Sequence, residues 1–284
     1  MISSFHDSLP AFSHEAMATT FQVFIAGRPV EYARQAASAA FLELDRLENE
    51  LSRFIESSDI ARANRLGAGE SLIVGDDALQ CLLGAAQISA LTNRAFDPAY
   101  ASPRPHGTDE PLFALDPSTH TLTSLTSCLR LDLGAVGKGY ALDRMAEVLS
   151  EWDIPSACLH SGGSTALALA APPDSAGWPI GIAEHVRLFA NRAVSGSGIA
   201  VQGAHLIDPR SGTPAERTRR VWSFAANAAD ADALSTAFFV MTDRAVEEFC
   251  REHAVIGAAL MLPDGSTQEF GHIGPVPERP SSVA

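Results

Sequence analysis

At 284 residues, with 46% hydrophobic and 19% charged residues, the chain is long enough to bury a full core, and its composition is neither that of a disordered nor that of a membrane-spanning protein. Its formal net charge of −14 argues against a protein that grips a phosphate backbone, since that task needs a clustered basic excess, and nucleic acid is not an expected partner. The four cysteines, Cys81, Cys128, Cys158 and Cys250, form no C-x-x-C pair, so neither a zinc knot nor a redox motif is visible.

The opening residues MISSFHDSLPAF carry neither a basic stretch nor a long apolar run, and the late run AVIGAALML is too short to cross a bilayer. The expectation is a cytoplasmic protein with no membrane partner. TTFQVFIAG alternates as a strand ending at Gly27. From Pro29, apolar residues at Val30, Ala33, Ala37, Phe41, Leu44, Leu47 and Leu51 recur at helical spacing. A second helix is expected over GDDALQCLLGAAQISALT with Asp76 or Asp77 as its cap, and then a long Pro/Gly loop over NRAFDPAYASPRPHGTDEP. HTLTSLT and CLRLDLG read as strands, followed by a helix that runs to about Trp152. SACLH, TALALA, WPIGIAE, AHLID, VWSFAANA, GAALML and STQEF read as further strands, with PRSGTP as a turn and helices over DALSTAFFVM and DRAVEEFCREH. Strands joined by short turns and interspersed with helices predict an α+β fold with a mixed, largely antiparallel sheet and packed helices. We expect a single domain over residues 1–284, with a flexible N-terminus (about 1–13) and a flexible tail (about 272–284).

The stretch LDLGAVGKGYALDRMAEVL sets three glycines and Lys138 directly ahead of an amphipathic helix, where close backbone approach and unpaired N–H groups suit an anion. In DADALSTAFF, Asp232, Ser235 and Thr236 stand at i, i+3 and i+4, so three hard oxygens can share the first turn and suit Mg²⁺. The competing reading stays open, in which Asp230 or Asp232 caps that helix and the hydroxyls bond back to carbonyls. A cation at a helix N-terminus opposes the macrodipole, so metal and phosphate are expected together. Gly162 and Gly163 make either an anion-binding concavity or an ordinary hairpin turn. His205 and Asp208 lie on opposite faces of a strand, and Asp208 is placed to open the turn. HEAMA lacks the second histidine of a zinc protease, VSGSGI does not fit G-x-S-x-G, and GAVGKG is too short for a Walker A loop.

Taken in order, EAMATTFQV, ELDRLENELSRFIESSDIARAN, RAFDP, LDLGAVGKGYALDRMAEVL, SGGS, AVSGSG, HLIDPRSGTP and AADADALSTAFFVM resemble the ApbE-type FAD:protein FMN transferases. The resemblance implies an ApbE-like fold and an enzyme that takes FAD as substrate with Mg²⁺, releases AMP, and esterifies FMN onto a Thr or Ser hydroxyl of an acceptor flavoprotein. It places Met17, Phe54, Ala95, Phe96, Asp97, Asp132, Lys138 and Ile207 at the FAD site. The metal would be held by the carbonyl of Ala135 and by Asp232, Ser235 and Thr236, with His205 and Asp232 as catalytic candidates. After RAFDP and after SGS the chain is shorter than the family usually is. The alternatives are therefore an FAD pyrophosphatase, in which water replaces the acceptor hydroxyl, and a non-catalytic FAD-binding module.

Overall fold

The computed structural model describes residues 9–104, 110–198, 207–215, 220–262 and 264–274. An eight-stranded sheet organises them, in the order β1 (Ala11–Ala16), β2 (Thr19–Ile25), β6 (Ala157–Ser161), β7 (Thr165–Ala168), β10 (Arg192–Ser197), β13 (Val221–Ala225), β14 (Gly257–Met261) and β15 (Thr267–Gly271). Every neighbouring pair in it is antiparallel. A small sheet of β3 (Ser71–Ile73), β5 (Thr121–Ser124) and β4 (Phe113–Asp116) stands apart, as do the hairpin β8 (Trp178–Ile182)–β9 (His185–Phe189) and the two-residue pair β11 (Ile207–Asp208)–β12 (Thr213–Pro214).

Strand alternation splits the core into two layers. Phe21, Val23, Ile25, Leu159 and Leu167 face one way, where they meet α1 (Val30–Leu51), α3 (Asp76–Leu91), α4 (Gly137–Glu151) and α5 (Ala228–Val240). Phe24, Ala166, Val194, Trp222 and Phe224 face the other way and are packed by Trp178, Ile180 and Phe189 of the β8–β9 hairpin. The short α2 (Asp59–Ala63) and the C-terminal α6 (Asp243–Glu252) complete the helices among the described residues. None of the helices described is long and apolar enough to cross a membrane.

Helix α1 buries Ala33, Ala37, Leu44, Leu47 and Leu51 as its periodicity predicts, whereas Val30 is exposed and Pro29 sits at the cap position rather than inside the first turn. The cap of α3 is Gly75, not Asp76 or Asp77. Asp77 is buried instead, accepting from the Tyr140 hydroxyl at 2.7 Å and paired with Arg46 and Arg144. Nor do Asp230 and Asp232 cap α5: Asn227 does so, accepting from the Asp230 N–H at 2.7 Å.

CLRLDLG forms no strand. The Asn64 side chain takes the place of a ladder partner, donating to the Leu131 carbonyl at 2.9 Å and accepting the Leu131 N–H at 2.6 Å. The expected flexible N-terminal segment overlaps β1, which pairs with β2 from Ala11 onward. Residues 1–8 and 275–284 lie outside the described residues.

Candidate active site

Helices α4 and α5 cross at Gly139, where a Cβ would come within 2.1 Å of the Ala228 carbonyl oxygen, so only glycine permits the approach. This contact brings the start of α4 against the first turns of α5. The Asp232 carboxylate, 3% exposed as a residue, accepts the Gly139 N–H at 3.2 Å and so sits at the positive end of α4. Lys138 Nζ lies 3.7 Å from Asp232 Oδ2 and also donates to the Gly134 carbonyl. From the sheet, the hydroxyls of Thr165 and Ser195 approach Asp232 Oδ1 at 3.2 and 3.4 Å. A buried acid thus gathers a helix end, an ammonium and two hydroxyls.

Two cavities open beside this point. The first, about 280 Å³, is lined by Met17, Leu51, Phe54, Leu133, Gly137 and Lys138 among others. The second, about 410 Å³, is lined by Ala95, Phe96, Asp97, Ala135, Ile207 and Thr236 among others. Arg53, Asp132 and Gly134 border both, so the two are halves of one bipartite site. Phe54 is 82% exposed at the rim, with the Arg53 guanidinium 4.6 Å from its ring centroid.

Asp132 is fixed from several sides. Its N–H donates to the Pro98 carbonyl at 2.8 Å, its Oδ1 accepts the Gly134 N–H at 2.9 Å, and Arg53 lies 3.5 Å from its Oδ2. The Tyr100 hydroxyl also approaches Oδ2, and burial beside this carboxylate pushes the Tyr100 pKa up. Asp97 is buried, pairs with Arg104 at 2.7 Å and accepts the Ala99 N–H at 2.8 Å, which holds the Ala95–Phe96–Asp97 segment against the second cavity.

Met17, Phe54, Ala95, Phe96, Asp97, Asp132, Ala135, Lys138, Ile207 and Thr236 therefore converge on the two cavities, drawn from segments far apart in the chain. Ser235 is placed elsewhere. It is buried, and its hydroxyl meets Ser197 at 2.9 Å and the Asp232 carbonyl at 2.9 Å, turned toward β10 rather than toward either cavity. His205 lies outside the described residues. Asp208 opens the β11–β12 turn, accepting the Arg210 N–H at 2.9 Å, and Gly162 (φ +55°) makes the β6–β7 hairpin turn. Asp143, on α4, accepts the N–H groups of Ala228 and Ala229 at 2.7 and 2.8 Å at the start of α5; burial raises its pKa to about 7, against the lowering by those two bonds.

The first cavity has an unusual wall. The β1–β2 hairpin closes through Met17 and Ala18, with φ of +50° and +58°. The left-handed region costs a residue bearing a Cβ about 1–2 kcal/mol. Glu48 of α1 accepts the Met17 N–H there at 2.8 Å.

Sequence reasoning did not single out Arg53, Tyr100, Thr165, Ser195 or Glu48. Ser195 stands within AVSGSG and Thr165 directly follows SGGS, but only pairing across β7 and β10 brings the two hydroxyls within 2.9 Å of each other.

This chain, with its antiparallel sheet, helices on one face and bipartite cavity at the helix ends, belongs to a family of transferase enzymes. The family is ApbE, whose model matches residues 17–260. A relative, the FAD:protein FMN transferase of Treponema pallidum (strain Nichols), is 28% identical over 84% of this chain and 80% of that protein. Among solved structures, the apo flavinyl transferase ApbE of Pseudomonas stutzeri superposes with a TM-score of 0.78 at 23% identity, over 95% of this chain and 97% of that one. The flavin transferase ApbE of Vibrio cholerae gives a TM-score of 0.76 at 20% identity, over 92% and 96%. These structures share the fold.

Proposed function

We propose that this protein, folded as one ApbE-like unit, transfers FMN from FAD to a Thr or Ser hydroxyl of an acceptor flavoprotein and releases AMP, with Mg²⁺ bound at Asp232. The observation that carries this reading is the buried Asp232 carboxylate, set between Lys138, the start of α4 and the rim where Ala135 and Thr236 border the second cavity. The donor chemistry fits the metal: a carboxylate, a hydroxyl and a backbone carbonyl are all hard oxygens. Asp232, Thr236 and the Ala135 carbonyl would hold the ion. Ser235 supports the reading as a residue that fixes the Asp232 turn, since its hydroxyl is engaged with Ser197 and the Asp232 carbonyl.

When bound, Mg²⁺ supplies neutralisation of the charge that builds on the pyrophosphate oxygens as the bond between the phosphates breaks. The protein does the positioning. The first cavity, walled by Met17, Leu51, Leu133 and the exposed Phe54 ring, offers apolar surface for one aromatic part of FAD. The second offers Ala95, Phe96, Asp97 and Ile207 for the other end of the dinucleotide. Asp132 and Arg53 border both cavities and would meet the connecting phosphates of a dinucleotide that spanned them, with Lys138 close by as a cation. His205 and Asp232 are the candidates for taking the proton of the acceptor hydroxyl. Four free thiols, three of them buried, fit the reducing environment of the cytoplasm.

The test is AMP release from FAD in Mg²⁺ and in chelator, with and without an acceptor polypeptide, followed by mass detection of covalent flavin. Transfer predicts AMP only with Mg²⁺, and flavin on a Thr or Ser of the acceptor. AMP with free FMN and no labelled acceptor would replace transfer by hydrolysis, and FAD binding without AMP would leave a binding module.

A further inference from the structure

We infer that Glu48 is a positioning residue, whose carboxylate clamps the left-handed Met17–Ala18 turn into the shape that walls the first cavity. The inference rests on the flavin reading of that cavity.

The register Ala16↔Thr19 leaves a two-residue turn, and both of its residues have positive φ. Turns of this hand are ordinarily built from Asn-Gly or Gly-Gly, because a Cβ crowds the backbone there. Met17 and Ala18 each carry one, so the conformation must be held from outside the turn. The hold comes from α1, across 31 positions of sequence, through the Met17 N–H to Glu48 Oε1 bond of 2.8 Å. One turn earlier on the same helix, Asp45 Oδ1 meets His14 Nε2 of β1 at 2.7 Å, so α1 grips the hairpin at two successive points. Ala18 and Met17 border the first cavity, as do Glu48 itself and, at the end of α1, Leu51 and Ser52. A turn that relaxed would carry Met17 and Ala18 with it and change the wall.

The experiment compares FAD dissociation constants, by flavin fluorescence, for the wild type, Glu48→Gln, Glu48→Ala and the double variant Glu48→Ala/Ala18→Gly. Losing a charge-assisted bond predicts an affinity about ten-fold weaker for Glu48→Ala. Glu48→Gln keeps a carbonyl oxygen to accept the Met17 N–H and loses less. Glycine adopts positive φ without a steric penalty, so the double variant, in which only Met17 still carries a Cβ in the turn, recovers part of the affinity with no clamp present. Glu48→Ala binding FAD as tightly as the wild type overturns the inference. So does a double variant as weak as Glu48→Ala, since Glu48 then acts by contact with the ligand or through overall stability. If the wild type binds no FAD, the flavin reading fails on its own, and hydrogen exchange decides the clamp. Faster exchange of the Met17 amide in Glu48→Ala than in Glu48→Gln supports it, and equal rates overturn it.

Discussion

The two faces of the central strands were built for different ends. On β7, β10 and β13 the residues Thr165, Ser195, Ser197 and Ser223 point toward α5, while their neighbours Ala166, Val194, Trp222 and Phe224 point toward the β8–β9 hairpin. All of these residues are buried. The hairpin face is apolar and closes on Trp178, which is fully buried among Phe189, Phe224 and Cys158 in the same cluster. The helix face accepts a strip of hydroxyls through its middle, although a buried hydroxyl needs a partner to avoid a desolvation cost. The partner is α5: Asp232, Ser235 and the Ala231 carbonyl take the bonds. One face holds the sheet together, and the other holds a carboxylate in place.

That contrast can be broken at several points, the largest first. Asp232→Ala should lower Mg²⁺-dependent AMP release by about a thousand-fold with an unchanged circular-dichroism spectrum, and chelator should do the same to the wild type. Trp178→Ala, on the opposite face, should lower stability by about 3–5 kcal/mol in urea unfolding while the activity per folded molecule stays that of the wild type. A paired comparison on one strand sharpens the point: Ser195→Ala and Val194→Ala should each cost about 1–2 kcal/mol of stability, but only Ser195→Ala should also weaken turnover, by about ten-fold. The last effect is one of slope. Asp143 has a folded pKa of about 7, raised mainly by burial. Its contribution to stability is therefore fully present below the unfolded pKa of about 4 and is lost as pH rises through 7. Asp143→Asn should flatten the urea midpoint between pH 5 and pH 8, and an unchanged slope would show that this carboxyl ionises freely in the folded protein.

Much of this was legible in the sequence where a period could be counted. Leu44, Leu47 and Leu51 announced the buried face of α1, and the alternation in TTFQVFIAG announced β2. Elements that depend on a distant partner were not. CLRLDLG alternates like a strand, yet its ladder position is taken by a single asparagine side chain from residue 64. RAVSGS is too polar to read as a core strand, and becomes one because α5 satisfies its serines. The same limit applied within the site. At about 100° per residue, Ser235 and Thr236 fall to either side of Asp232, so spacing placed all three on one turn without telling which side faces the sheet. The packing does tell: Ser235 meets β10 and Thr236 borders the cavity. Arg53 and Tyr100 flank Asp132 only through loop geometry that no local pattern encodes.

The strands of the main sheet pair in the order in which they occur in the chain. A ribosome therefore releases them in the order they take in the sheet, with residues 26–156 falling between β2 and β6, and six of the eight are already out before Asp232 emerges. The nascent protein is first a scaffold, and the buried carboxylate is added to it afterwards. A chain halted during synthesis short of α5 would carry most of its sheet and none of the Asp232 carboxylate.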